Sequence, residues 1–176
     1  MRKTTTNMSL LINNSNNLSF VNIETSGTCY EKDRIIGIGI IRIDKTGIRE
    51  WEQIVNPTFR IKNSIEEITG ISNKELQNSP TFGRIADDLI RLLHDSYFIA
   101  HNAKFEYGFL QSEFKRIHKQ LSLDYLSTID LSRQKYPEHE KHDLDNLIQR
   151  FDSIEYIEKR PLSCARLINQ LWCILK

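Results

Sequence analysis

Ser19-Phe20-Val21-Asn22-Ile23-Glu24-Thr25-Ser26-Gly27 is the stretch whose reading decides the fold. Its β-rich, alternating first half predicts a strand, and a period of two puts Asn22 and Glu24 on one face. Small residues follow at once, so two polar side chains stand at a strand end beside a tight loop. Working outward, Arg34 to Ile43 is nearly all Ile and Gly at its centre. Such a run suits a strand covered on both faces. Asp44-Lys45-Thr46-Gly47 reads as a turn, and Ile48 to Val55 as a third strand antiparallel to the second. Asn56-Pro57 ends it.

Helical signals then take over. Ser64-Ile65-Glu66-Glu67 has a capping-box pattern, and Gly70 stops that short helix. Pro80 opens a longer one, with Phe82, Ile85, Ala86, Leu89, Leu92 and Leu93 at helical spacing. Tyr97 to Ala100 is a short strand. Asn102 is placed to cap the next helix, whose Phe105, Phe109, Phe114 and Ile117 mark a buried side. Leu126 to Leu131 reads as a fifth strand, and Asp143 to Phe151 and Pro161 to Ile174 as helices. A meander of three strands followed by alternating strands and helices predicts an α/β fold, a mixed five-stranded sheet flanked by helices.

The chain has 176 residues, 24 Lys+Arg against 23 Asp+Glu, and a formal net charge of +1. That length fits one domain able to bury a core. The even charge argues against a strongly basic coat for nucleic acid and against a polybasic membrane binder. It leaves room for a local phosphate site. Three widely spaced cysteines, Cys29, Cys164 and Cys173, fit reduced thiols and a cytoplasmic location. Met8 to Ile12 is too short for a secretory segment, and no run approaches a membrane span. Residues 1–17 read as a polar tail and residues 18–176 as the domain.

Three features converge on chemistry. The first is Asn22 and Glu24 at the strand end. The second is His101-Asn102-Ala103-Lys104-Phe105-Glu106, with a carboxylate on the first turn of a helix. The third is Lys159 and Cys164, flanking the start of the last helix. In this order, and with Val55-Asn56-Pro57, Thr69-Gly70-Ile71, Leu131-Ser132-Arg133 and His142-Asp143-Leu144-Asp145-Asn146-Leu147, the chain resembles the DEDDh group of 3′–5′ exonucleases. This DnaQ-like family includes the proofreading epsilon subunit of bacterial DNA polymerase III. The resemblance covers about residues 19–174 and implies a ribonuclease H-like fold.

It also implies four acids holding two divalent metals about 3.5–4 Å apart, and a histidine that takes a proton from water. This sequence departs at most of those positions. Asn22 stands at the first acid and Cys164 at the last. Lys159 replaces the histidine, Glu106 replaces an aspartate, and Glu24 is kept. Hard cations prefer charged oxygen donors, so an amide, a thiol and an ammonium weaken the site, leaving Glu24 and Glu106 as its metal-ligating carboxylates. The expectation is a degraded metal site, no cofactor, and a cleft that has lost its anionic character.

By the same resemblance Thr25, Ser26, Gly27, His101, Asn102, Phe105 and Lys159 fall at nucleic-acid contacts, with Lys159 as a phosphate ligand. Single-stranded nucleic acid or its 3′ ends, with replication or repair proteins, are the implied partners. Two other readings stay open. One is an active exonuclease using Mg²⁺ or Mn²⁺ in a rearranged site, and the other is a protein-interaction scaffold. Glu138 to Asp143 reads as a solvated loop. Gln120 to Tyr125 has a loose likeness to peptides that dock on sliding clamps, with Asp124 where an aromatic or leucine belongs.

Overall fold

The computed structural model describes residues 17–151, 154 and 158–176. The expected tail over residues 1–17 lies outside them except for Asn17. Five strands form one sheet: β1 Leu18–Thr25, β2 Ile35–Asp44, β3 Gly47–Ile54, β4 Tyr97–Ala100 and β5 Tyr125–Ser127. Their order is β3-β2-β1-β4-β5, with β1, β2 and β3 antiparallel and β4 and β5 parallel to β1. Seven helices complete the described residues: α1 Asn63–Thr69, α2 Asn73–Gln77, α3 Phe82–Leu93, α4 Ala103–Arg116, α5 Thr128–Lys135, α6 Leu144–Arg150 and α7 Pro161–Leu175.

The period of two in β1 sorts the core. Val21 and Ile23 face the side packed by α3 and α4, with Phe82, Leu89, Phe109 and Phe114. Phe20 faces the other side, with Ile41, Ile99 and the α7 residues Leu167, Ile168, Leu171 and Trp172. Asn22 and Glu24 share the Phe20 face, so α7 is the helix that meets them. All of β2 from Ile35 to Arg42 is buried, as its Ile-rich run requires.

Two glycines of β2 set how α7 docks. Gly37 and Gly39 pair with Glu24 and Asn22 across the ladder. A Cβ on Gly39 would fall inside van der Waals contact of the Pro161 carbonyl and the Leu162 nitrogen. A Cβ on Gly37 would sit 2.9 Å from both Pro161 and Ile71 side-chain carbons. The two bare positions are therefore the seat for the first turn of α7.

Several element ends differ from the sequence reading. The strand expected over Leu126 to Leu131 stops at Ser127, and Thr128–Lys135 is helical. Its parallel partner β4 ends at Ala100, so no ladder exists beyond the Ser127 pairing. The capping box at Ser64 does not form. Lys62 occupies that N-cap without a side-chain bond, while the Glu66 carboxylate accepts from the Asn73 backbone. A side-chain N-cap forms one helix later, where Ser72 Oγ accepts from Glu75 N at 3.2 Å, while the Glu75 carboxylate is taken by Arg160. Asn102 holds the N-cap position of α4, again with no side-chain cap bond. The helix expected from Pro80 begins at Phe82.

Gln120 to Tyr125 is tied to the core. Tyr107 donates its hydroxyl to Leu121 O at 3.0 Å and accepts from Leu123 N at 2.9 Å, and both leucines pack on the α3–α4 side. The two leucines and their backbone groups thus serve the domain's own packing, while Gln120, Ser122, Asp124 and Tyr125 are exposed.

Glu113 is the buried anchor of α4. It accepts from Arg34 Nε at 2.6 Å, Arg116 at 3.1 Å and the Ile35 backbone at 3.3 Å. Both arginines keep about a quarter of their side chains exposed, so removing Glu113 strands charges that water partly reaches. Glu113→Ala is expected to cost about 3 kcal/mol, the low end for breaking a buried pair. A lower urea midpoint with an unchanged slope would show it.

Candidate active site

A cleft of about 350 Å³ opens at the Glu24 end of β1. Glu24, His101, Lys159 and Cys164 line it, together with Asp143 and Asp145. Its apolar wall is Ile68, Leu144, Ile148 and Leu167. The structure thus brings Glu24, Lys159 and Cys164 to one cavity across more than a hundred residues of chain. Asn22 lies one strand step behind Glu24 and is buried.

The carboxylates differ in how they are held. Asn22 Nδ2 donates to Glu24 Oε1 at 3.0 Å. Burial raises the Glu24 pKa, while the Asn22 bond and the Lys159 charge pull it down. Glu106 is buried, and its Oε2 accepts from Ile23 N at 3.0 Å. Burial pushes its carboxyl well above the usual range, and the Glu24 charge adds to that. Glu106 thus ties the start of α4 to β1. Among the described residues, no group of three or more His, Cys, Asp or Glu side chains is gathered as a metal ion would need.

Lys159 and Cys164 are delivered by the seating of α7. Pro161 fills the first helical position. Leu162 N donates to Glu52 Oε1 of β3 at 2.9 Å. Arg160 pairs with Glu75 of α2 at 2.9 Å and lies 3.6 Å from Glu52. Cys164, one turn into α7, is buried facing the cleft, and Lys159 is exposed at its mouth.

The small-residue loop is built around Asp33. Ser26 Oγ donates to Asp33 Oδ1 at 3.2 Å and accepts from Arg34 N at 3.0 Å. Asp33 Oδ2 accepts from Cys29 N at 2.8 Å. Thr25 Oγ1 donates to Gly27 O at 2.6 Å. A Cβ on Gly27 would collide with the Asp33 carboxylate, which explains the glycine. Phe105 packs edge-on against Phe109 and tilted against Tyr30, covering this loop.

His101 lines the cleft, but both ring nitrogens are engaged. Nδ1 lies 2.9 Å from Thr128 Oγ1 and Nε2 lies 2.9 Å from His142 O. Only Nε2–H can donate to that carbonyl, so Nδ1 accepts from the threonine. The solvated loop expected over Glu138 to Asp143 is exposed as read, except at His142. His142 is buried, 2.8 Å from Ser132 Oγ and from His139 O. This chain of contacts fixes the start of α6 against α5. Burial lowers the His101 pKa from 6.5 to about 4.

A histidine that resists protonation when folded contributes stability above the unfolded pKa and loses it as pH falls. The window runs from 6.5 down to about 4, and the full effect is about 3 kcal/mol. Glu106 acts oppositely, because its raised pKa makes the folded state the better proton binder above 4.5. His101→Gln is expected to flatten the acid limb between pH 6.5 and 4, read by urea unfolding across pH.

The expected loss of anionic character is also corrected for the cleft as a whole. Asp143 and Asp145 add two carboxylates to the α6 wall, against the single ammonium of Lys159. Asp143 is engaged in capping α6, accepting from Asn146 N at 3.1 Å. Sequence reading missed these acids, the apolar wall and the two β2 glycines. The i, i+2 glycines within an Ile-rich strand were the available signal for the seat of α7.

Comparison with known proteins gives a consistent picture. The RNase_T exonuclease family model matches residues 20–155. The 3′-5′ exonuclease DinG of Bacillus subtilis is 35% identical over 130 residues, 72% of this chain and 14% of that one. The DNA polymerase III subunit epsilon of Treponema pallidum is 31% identical over 153 residues, 85% of this chain and 71% of that one. The nuclease domain of 3'hExo, a DEDDh family member solved bound to rAMP, superposes with a TM-score of 0.74 at 12% identity, covering 90% of each chain. This chain spans a small part of the first relatives it matches, 14% of DinG and 9% of a PolC-type polymerase. No helix among the described residues is long and apolar enough to cross a membrane.

Proposed function

We propose that this chain, which belongs to the exonuclease family, binds the 3′ ends of single-stranded nucleic acid with little or no hydrolysis. The observation that carries the proposal is the contact between Asn22 Nδ2 and Glu24 Oε1. Where the family has two acids able to hold cations, an amide donates to the remaining carboxylate. The donor set does not fit a pair of divalent ions. Glu106 is buried under the Ile23 amide, Cys164 offers a soft atom, and Lys159 brings a positive charge to the same cavity.

The cleft suits a terminal nucleotide held without metals. The apolar wall takes the flat base, and Lys159 pairs with phosphate as a point charge. Of the other expected contacts, His101 lines this cleft, while Thr25, Ser26 and Gly27 form the loop that follows Glu24, and Asn102 and Phe105 stand at the start of α4, with Phe105 packed toward the opposite core. Replication or repair proteins are the class of partner that fits a strand-end binder in this family. A cytoplasmic location suits both.

The test uses the purified chain and a labelled single-stranded oligonucleotide. Binding without shortening is expected, in Mg²⁺ or Mn²⁺ alike. Metal-dependent shortening that Glu24→Ala abolishes would overturn the proposal in favour of an active enzyme. Lys159→Ala is expected to weaken binding and to reduce the log–log salt slope by about one, the signature of one lost phosphate contact.

A further inference from the structure

Residues Asn56 to Lys62 leave β3 at the same end of the sheet as Glu24, because Val55 N bonds Ile36 O at 2.9 Å and Gly37 pairs with Glu24. Thr58 there has φ of 71°, a conformation a β-branched residue rarely adopts. It is held by Asn56 Oδ1, which accepts from Thr58 N at 2.8 Å. Such an outlier persists only where its surroundings impose it. The consequence is that Phe59, 44% exposed, stands on the surface with Arg60 and Lys62 exposed beside it. Among the described residues neither cation makes an ion pair. Beside Phe59 lies a cavity of about 240 Å³, lined also by Thr58, Arg60 and Gln77.

The segment leads directly into α1, whose seven residues span about 10 Å. The far end of α1 carries Ile68, which is part of the cleft wall. An exposed aromatic ring flanked by unpaired cations, about one short helix from a nucleotide-sized cleft, has the composition of a single-strand stacking platform. A protein partner is less well matched, because the surface here offers a single exposed ring with two exposed cations and no wider apolar face.

We infer that Phe59, Arg60 and Lys62 form a second contact for single-stranded nucleic acid. Phe59 stacks on a base upstream of the terminal one, Arg60 and Lys62 pair with the adjoining phosphates, and the side cavity takes part of the base. This rests on the reading that the cleft holds the strand end. The platform then gives the protein affinity for a strand longer than the cleft alone can hold.

Fluorescence anisotropy with a labelled dinucleotide and a labelled twelve-residue oligothymidylate tests it. Phe59→Ala is expected to weaken the longer strand by about tenfold, the loss of one stacked base, and to leave the dinucleotide unchanged. Phe59→Trp should keep the affinity, with indole fluorescence quenched by the longer strand. Arg60→Ala should lower the salt slope for the longer strand by about one. If Phe59→Ala binds the longer strand as the parent does, while Lys159→Ala weakens both ligands, the platform is wrong and the cleft reading stands. Equal weakening of both ligands by Phe59→Ala also overturns it. If the parent binds neither ligand, the cleft reading fails and the platform with it.

Discussion

Replacing Asn22→Asp, Glu106→Asp, Lys159→His and Cys164→Asp together is expected to produce Mn²⁺-dependent shortening of single-stranded DNA, roughly a thousandfold or more above the parent chain. A positioned acid–base group alone contributes about 10²–10⁴-fold. The substitutions also replace an amide, a thiol and an ammonium by carboxylates and an imidazole, so the set of donors regains the charge that hard cations require. With Asn22→Asp the bond donated to Glu24 is lost, and two carboxylates stand side by side on one face of β1. Four clustered acids repel one another without cations, so the variant should melt lower in a chelator. It should recover by about 2.7 kcal/mol at a hundredfold excess of Mn²⁺ over its dissociation constant. That second readout separates a variant that binds metal but cannot turn over from one that binds none. A variant showing neither metal stabilisation nor shortening would mean that features beyond these four positions disable the site.

The second large effect is structural. Gly39→Val is expected to cost at least about 4 kcal/mol, at the diagnostic end of single substitutions. The atoms that a side chain would meet are the Pro161 carbonyl and the Leu162 nitrogen, which belong to backbone and cannot rotate aside. Either α7 lifts from the sheet or β2 bends. Lifting α7 would expose part of the cluster around Leu167, Leu171 and Trp172, so the loss should appear as a reduced urea midpoint and a disturbed Trp172 fluorescence. Full stability in Gly39→Val would show that α7 is not seated on this glycine.

These residues show what was legible in the chain and what was not. The polar pair Asn22 and Glu24 was readable because a strand has period two. Gly70 and Pro161 were readable because backbone punctuation is local, and the left-handed φ of 69° at Gly70 and the first-turn place of Pro161 agree. The α/β class and the order of elements followed from such signals. The overrun at Leu126 to Leu131 has a different origin. Strand propensity continued there, but the four-residue β4 offered no further partner. The Ser64 box failed because α1 already starts at Asn63, with Lys62 at the N-cap, so Ser64 lies inside the helix instead of capping it. Glu113 meets Arg34 across 79 residues, and no local pattern announces such a pair. Likewise His142 looked like one of several solvated charges until Ser132 and the His139 carbonyl enclosed it. The candidate site was therefore legible in its residue types, through the family resemblance. Its second pair of acids and its apolar wall depended on how α6 and α7 pack.

The bond from Leu162 N to Glu52 has a bearing on how the cleft treats anions. The start of a helix carries a partial positive charge from its macrodipole, and exposed amide groups there are natural cradles for phosphate. In this protein the fifteen-residue helix α7 points that end toward the cleft side of the sheet. Yet an edge-strand carboxylate already lies against its first free amide, that of Leu162, so the local field of the helix terminus is neutralised from within. Attraction for a phosphate at this place falls to the Lys159 ammonium without help from the helix, and a neutral residue at position 52 would return the terminus to the solvent as an anion trap.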